Sequence, residues 1–214
     1  VFRFFQRQGI ELMSGFGMTE ATGGITMTPP GAYRDDSLGR ALPGIELRLA
    51  SDGELCIRGP YVMLGYLDPP DGASSFDDEG WFRTGDVGHL RPDGHLVLTG
   101  RLKDIIIRKG ENISAKEVED LLYAHPKVSD IAVVGLPDRE RGERVCAVVQ
   151  RPEGADAADD LTLEEMVAYL ADQQLARFKT PEQLVVVDAL PRNDTLGKIL
   201  KYKIREEYAD SPWP

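Results

Sequence analysis

Cysteine is scarce: Cys56 and Cys146 are the only two in 214 residues, and they lie in separate apolar runs with no C-x-x-C spacing. That excludes a disulfide framework and a thiol-based metal or redox motif, and leaves two buried, reduced thiols as the expectation. No apolar run approaches the length of a membrane span, and no basic-then-apolar leader opens the chain. An excess of positive charge is missing as well. With 25 Lys and Arg against 36 Asp and Glu, the net charge of -11 argues against nonspecific nucleic-acid binding. A few local cations still suffice to hold an anionic ligand. The three histidines, His89, His95 and His125, lack metal-ligand spacing. His89 and His95 flank a turn, where exposed strand surface is expected. The last three residues, 212–214, form no peroxisomal signal, and the cytoplasm is the expected compartment.

What is present suits a globular chain: 42% apolar and 29% charged residues, enough for one large or two small domains. Val1 runs straight into an amphipathic stretch, Phe2 to Arg7, closed by Gly9, so the chain is expected to start inside an element and to be a fragment. A strand is expected over 11–16, and a Gly-, Thr- and Pro-rich loop over 21–44. Further strands are expected over 45–49, 54–58, 86–91 and 95–100, the last two joined at Pro92-Asp93-Gly94. After Leu102 the pattern changes. A β-branched run at 105–107 precedes a capping box, Ser114 to Glu117, and a helix to about His125. Strands at 130–135 and 143–150, an acidic loop at 154–160, a helix at 162–176 opened by Thr162 and Glu165, a strand at 183–187 and a helix at 200–208 complete the order. The fold class is α+β, with a boundary at 101–104 dividing residues 1–102 from 103–214.

One ordered string dominates the chain, GWFRTGDVGHLRPDGHLVLTGRLKDIIIRKGENI from Gly80 to Ile113. It places Asp86 and Arg101 at the two ends of a hairpin. Asp86 follows the turn-prone Thr84-Gly85, where a strand should start. A carboxylate there has acceptor oxygens for both hydroxyls of a ribose, and Arg101 presents a fixed fork of donors to the same sugar or to a phosphate. A glycine-bearing loop, Lys109-Gly110-Glu111-Asn112, follows.

The string resembles the adenylate-forming family of acyl- and aryl-CoA synthetases, peptide-synthetase adenylation domains and beetle luciferase. Three other stretches carry the same resemblance in the same order: Gly15-Phe16-Gly17-Met18-Thr19-Glu20, then Gly53-Glu54-Leu55 to Pro60 with Gly65-Tyr66, then Pro191 to Ile199 with Gly197-Lys198. The resemblance implies that residues 1–102 are the end of a large adenylation domain with a β-rich, barrel-like subdomain. Residues 103–214 are then its small mobile C-terminal domain, with Lys103 as the hinge. It implies an acid–thiol ligase that uses ATP, Mg²⁺ and coenzyme A on a fatty or other hydrophobic carboxylic acid. Gly23 to Met27 would form a small apolar neighbourhood beside the site. An aryl or alicyclic acid is the alternative, as is a non-catalytic fragment that binds nucleotide or coenzyme A only. The family's phosphate loop lies upstream of the first motif and has no counterpart here, so the isolated chain is expected to be inactive.

By the same resemblance Lys198 is the catalytic cation, able to bridge the acid and an α-phosphate oxygen. A solvated lysine beside Lys201 and Lys203 is the bland reading. Thr19 and Glu20 complete the catalytic set, Glu20 as the Mg²⁺ ligand. Gly15, Phe16, Gly17, Thr19, Asp86, Arg101 and Lys198 would hold the nucleotide, with Phe16 stacking where the family usually has Tyr. Lys109, Gly110 and Glu111 would face coenzyme A. Ile107 stands where some relatives carry a lysine, which argues against the luciferase-like branch.

Overall fold

The computed structural model describes residues 2–67 and 75–211. The terminal residues 212–214 read for a targeting signal lie outside them, as does Val1. Two compact units divide the chain, Val1–Leu102 and Lys103–Pro214.

In the first unit, α1 (Phe2–Arg7) buries none of its residues. Three short strands, β1 (Gly15–Phe16), β2 (Thr26–Met27) and β3 (Arg40–Ala41), pair in that order. Two of them fall inside the span 21–44 expected as loop, and β1 is all that remains of the strand expected over 11–16. Strands of two residues are too short to show a period in sequence. The main sheet is an antiparallel meander of β4 (Glu46–Leu49), β5 (Glu54–Arg58), β6 (Phe82–Leu90) and β7 (Leu96–Arg101). Ile25, Ile45, Leu55, Ile57, Phe82 and Leu96 form its apolar core. At the β6–β7 turn the Gly94 N–H reaches the Arg91 carbonyl at 2.8 Å. His95 is not strand surface. It is fully buried, its Nε2 3.1 Å from the Ala32 carbonyl and its Nδ1 3.0 Å from the Asp93 carboxylate, and it fastens the 30s segment to the hairpin.

The second unit has five strands, β8 (Ile105–Arg108), β9 (Glu111–Ser114), β10 (Asp130–Asp138), β11 (Gly142–Gln150) and β12 (Gln183–Val187), with helices α2 (Ala115–Leu122), α3 (Leu163–Asp172) and α4 (Lys201–Tyr208). Strand β11 pairs antiparallel with β10 and parallel with β12, and meets β8 at Gly142–Arg108. The alternation along β11 explains the layering. Val145, Ala147 and Val149 pack with Val118, Leu122, Met166 and Leu170 of α2 and α3. Cys146 and Val148 pack with Ile204 of α4 and Leu190. Both faces are buried, so the strand reads as one apolar run. Thr162 and Glu165 form a full capping box. At α2 only half of the expected box exists: Ser114 Oγ accepts the Glu117 N–H at 3.3 Å, but the Glu117 carboxylate goes to Lys179 Nζ at 2.7 Å. Cys56 and Cys146 are free and buried, and no helix among the described residues is long and apolar enough to cross a membrane.

Candidate active site

Asp86 and Arg101 are cross-strand partners on β6 and β7, with Arg101 Nε donating to Asp86 Oδ1 at 3.0 Å. The Asp86 side chain is 7% exposed, while the arginine side chain is 54% exposed. The arginine is therefore the member of the pair that has room to move. Asp86 does not start the strand, because β6 begins at Phe82 and carries an irregularity before it. Glu54 pairs with Val87 and Cys56 with Arg83, so Thr84, Gly85 and Asp86 together oppose Leu55 alone.

The first motif bends around a tight turn at Thr19–Ala21. Gly17 has no room for a side chain, since a Cβ there would overlap the Gly23 carbonyl. Glu20 is fixed twice: its carbonyl accepts the Met63 N–H at 2.7 Å, and its Oε1 accepts the Tyr66 hydroxyl at 2.6 Å. That second bond pushes the Tyr66 phenol above its ordinary range. The motif around Glu20 and the Gly65-Tyr66 segment thus meet through side chains. Phe16 is half-buried against the apolar core and Thr19 is exposed. Gly23 to Met27 is not an open apolar patch: Ile25 and Thr26 are buried, and Met27 alone of the three larger side chains is exposed.

The second unit holds the other candidates. Lys198 is exposed in a loop closed by an Arg192–Ile199 bridge. Asn193 organises that loop. Its Oδ1 accepts the Lys198 N–H at 2.8 Å and the Leu196 N–H at 3.3 Å, and its own N–H reaches the Lys198 carbonyl at 2.9 Å. No carboxylate among the described residues pairs with Lys198, whereas Lys201 Nζ is committed to Glu119 Oε1 at 2.7 Å. Lys109 and Gly110 are not a free loop. They are the two-residue turn between β8 and β9, with φ of 51° and 83°, and Glu111 already belongs to β9. All three are exposed. Lys103 begins this unit, and its carbonyl accepts from Arg205 Nη2 at 3.3 Å.

Two family models match the chain: AMP-binding enzyme over residues 1–67, and AMP-binding enzyme C-terminal domain over residues 117–198. The chain belongs to the AMP-binding enzyme family. It is 39% identical over 222 residues to a medium-chain fatty-acid–CoA ligase of Escherichia coli (strain K12), covering 97% of this chain and 38% of the relative. It is 48% identical over 155 residues to a salicylyl-CoA synthase/salicylate adenylyltransferase of a Streptomyces species, covering 72% of this chain and 27% of the relative. Among solved structures, ATP-bound MatB from Rhodopseudomonas palustris superimposes with a TM-score of 0.82 at 37% identity, covering 94% of this chain and 41% of that one. The chain spans less than half the length of these AMP-binding enzymes.

The Gly80–Ile113 string, which holds Asp86, Arg101 and Lys103, lies between the two matched stretches. Two further residues of this chain, Glu54 and Asn193, escape a reading by sequence alone. Glu54 stands in a quoted motif and Asn193 in the lysine loop. A carboxylate opening a run of three apolar residues was the available signal for the first, and an Asn four residues before a Gly for the second.

Proposed function

We propose that the protein is an ATP-dependent acid–thiol ligase. A carboxylate attacks the α-phosphorus of ATP, the bond to pyrophosphate breaks, and acyl-AMP forms. The thiol sulfur of coenzyme A then attacks the acyl carbon, loses its proton, and displaces AMP to leave the thioester. One observation carries this reading at the reacting centre. Lys198 is the exposed lysine of an ordered loop, held at its backbone by Asn193 and committed to no carboxylate among the described residues, while Lys201 is spent on Glu119. An unspent ammonium is what two approaching anions, the acid and the triphosphate, require.

The other residues take roles their surroundings support. Asp86, anchored in the sheet beside the movable Arg101, accepts the ribose hydroxyls. Phe16 offers a face to adenine, with Gly15 and Gly17 letting the backbone approach, and Thr19 offers a hydroxyl to a phosphate. Among the described residues no group of three or more His, Cys, Asp or Glu is placed to hold a metal. Glu20 would supply a carboxylate to a magnesium ion, a cation that favours oxygen ligands and keeps phosphate oxygens and water in its shell. Bound there, the ion would neutralise charge on the phosphates. Lys103 is the pivot between the half-reactions, and the exposed turn at Lys109, Gly110 and Glu111 faces the pantetheine chain.

The acid is fatty or otherwise hydrophobic, in line with the Escherichia coli relative. An aryl acid is the second reading, favoured by the salicylyl-CoA relative and by the burial of Ile25, which removes part of the expected apolar patch.

ATP–pyrophosphate exchange tests the reading, run with fatty, aryl and alicyclic acids on the 214-residue chain and on any longer polypeptide that carries it. Lys198→Ala is expected to lower exchange by roughly 10²–10³-fold, the usual effect of removing one group that stabilises transition-state charge. Exchange that survives the substitution undiminished would count against the assignment. Nucleotide binding with no exchange in either polypeptide would favour a non-catalytic binding module.

A further inference from the structure

We infer that Glu54 and Thr84 are positioning residues for Asp86, setting the ribose acceptor through the irregularity in β6. This rests on the reading of Asp86 as that acceptor. Where three residues of β6 oppose one of β5, the bulged backbone loses ladder partners and must find others. It finds them in two side chains. Glu54 is 3% exposed, and its Oε1 accepts the Gly85 N–H at 2.8 Å. Thr84 Oγ1 accepts the Asp86 N–H at 3.1 Å while donating to the Leu55 carbonyl at 2.7 Å. Gly85 supports this path with φ of 75°. As the last residue of the bulge, Asp86 faces Arg101.

A carboxylate buried to this degree is costly unless its oxygens are occupied. The second oxygen of Glu54 takes Arg83 Nε at 2.6 Å, and Arg83, 46% exposed, also reaches Asp52 at 3.3 Å. Arg83 neutralises the charge from the solvent side, and Gly85 is the contact on the side of the site. The two functions of Glu54 are therefore separable. A glutamine keeps an acceptor for Gly85 and turns its amide N–H₂ toward the donors of Arg83. An alanine loses both contacts, yet strands no buried charge, because Arg83 keeps water and Asp52.

The test compares AMP with 3′-deoxy-AMP binding to the 214-residue chain, followed by amide chemical shifts. A hydrogen bond from a sugar hydroxyl to a charged acceptor should give roughly tenfold preference for AMP. Glu54→Ala should bring that ratio toward one, and Thr84→Val, nearly isosteric, should do the same without a change at Glu54. Glu54→Gln should retain most of it. A general loss of affinity for both nucleotides with the ratio preserved in Glu54→Ala and Thr84→Val would overturn the inference and leave the ribose role of Asp86 intact. Equal affinity for the two nucleotides in the unaltered chain, unchanged by Asp86→Asn, would remove that role and the inference with it.

Discussion

Burial decides which ionisable side chains of this chain are available for chemistry and which are spent on structure. Lys201 of α4 and Glu119 of α2 neutralise one another, and burial pushes the Glu119 carboxyl up against the pull of Lys201. Three residues earlier, Lys198 is anchored through its backbone and pairs with no carboxylate among the described residues. Cys146 is the extreme case on the apolar side: fully buried, its thiol is pushed up to about 12 by desolvation. The folded state therefore keeps the proton over a range in which the unfolded thiol, with its ordinary value of 9.0, releases it. In that window the native state binds more protons, so stability falls as pH rises, and the contribution is complete only below about pH 9. Urea unfolding of the unaltered chain and of Cys146→Ala should show this as a difference of roughly 1.4 kcal/mol between pH 8 and pH 10, lost by the unaltered chain alone. Parallel pH dependence in the two proteins would mean that Cys146 ionises in the native state.

At the scale of elements, what was legible depended on length and on alternation. β10, β11 and α3 carry long apolar patterns, and sequence places all three to within a few residues. The β8–β9 hairpin shows why other elements escape. Its second strand reads Glu-Asn-Ile-Ser, with polar residues of low strand propensity at its start and a single buried side chain, Ile113. It is a strand because β8 supplies partners from Ile105 to Arg108. The bulge at Thr84 to Asp86 was illegible for a related reason: one of the two side chains that hold it is Glu54, about thirty residues away in sequence. Asp86 and Arg101 could be named from their spacing, but not the side chain that fixes one of them. The hairpin also makes a prediction. Both turn residues have positive φ, the pattern of a type I′ turn, in which Asn-Gly is the favoured pair and a lysine at the first position is strained. Lys109→Asn should raise stability by about 0.5–1 kcal/mol in urea unfolding. A loss of stability would mean that the Lys109 stem makes a contact worth more than the strain.

At the scale of the molecule, the apolar cores are drawn from separate parts of the chain. One joins residues between Ala21 and Leu96, and the other two join residues between Ile106 and Ile204. Each sheet is likewise closed within its own unit, since β1 to β7 pair among themselves and β8 to β12 do the same. A unit that satisfies its backbone and fills its core from its own sequence has what it needs to fold alone, and at roughly 110 residues it exceeds the size below which extra staples are required. A polypeptide of residues 103–214 should therefore melt in one cooperative step with an enthalpy of about 80 kcal/mol, the usual figure for its length. A broad transition accompanied by binding of an apolar dye would instead show a partly packed state, one whose core is completed only by the preceding residues. The distinction bears on the proposed chemistry. Lys198 is held by Asn193 and by the Arg192 guanidinium on the Gly197 carbonyl, all within this unit. If the unit folds alone, the Lys198 loop is already ordered before it meets a nucleotide, and its amide signals in the 103–214 polypeptide should match those in the whole chain.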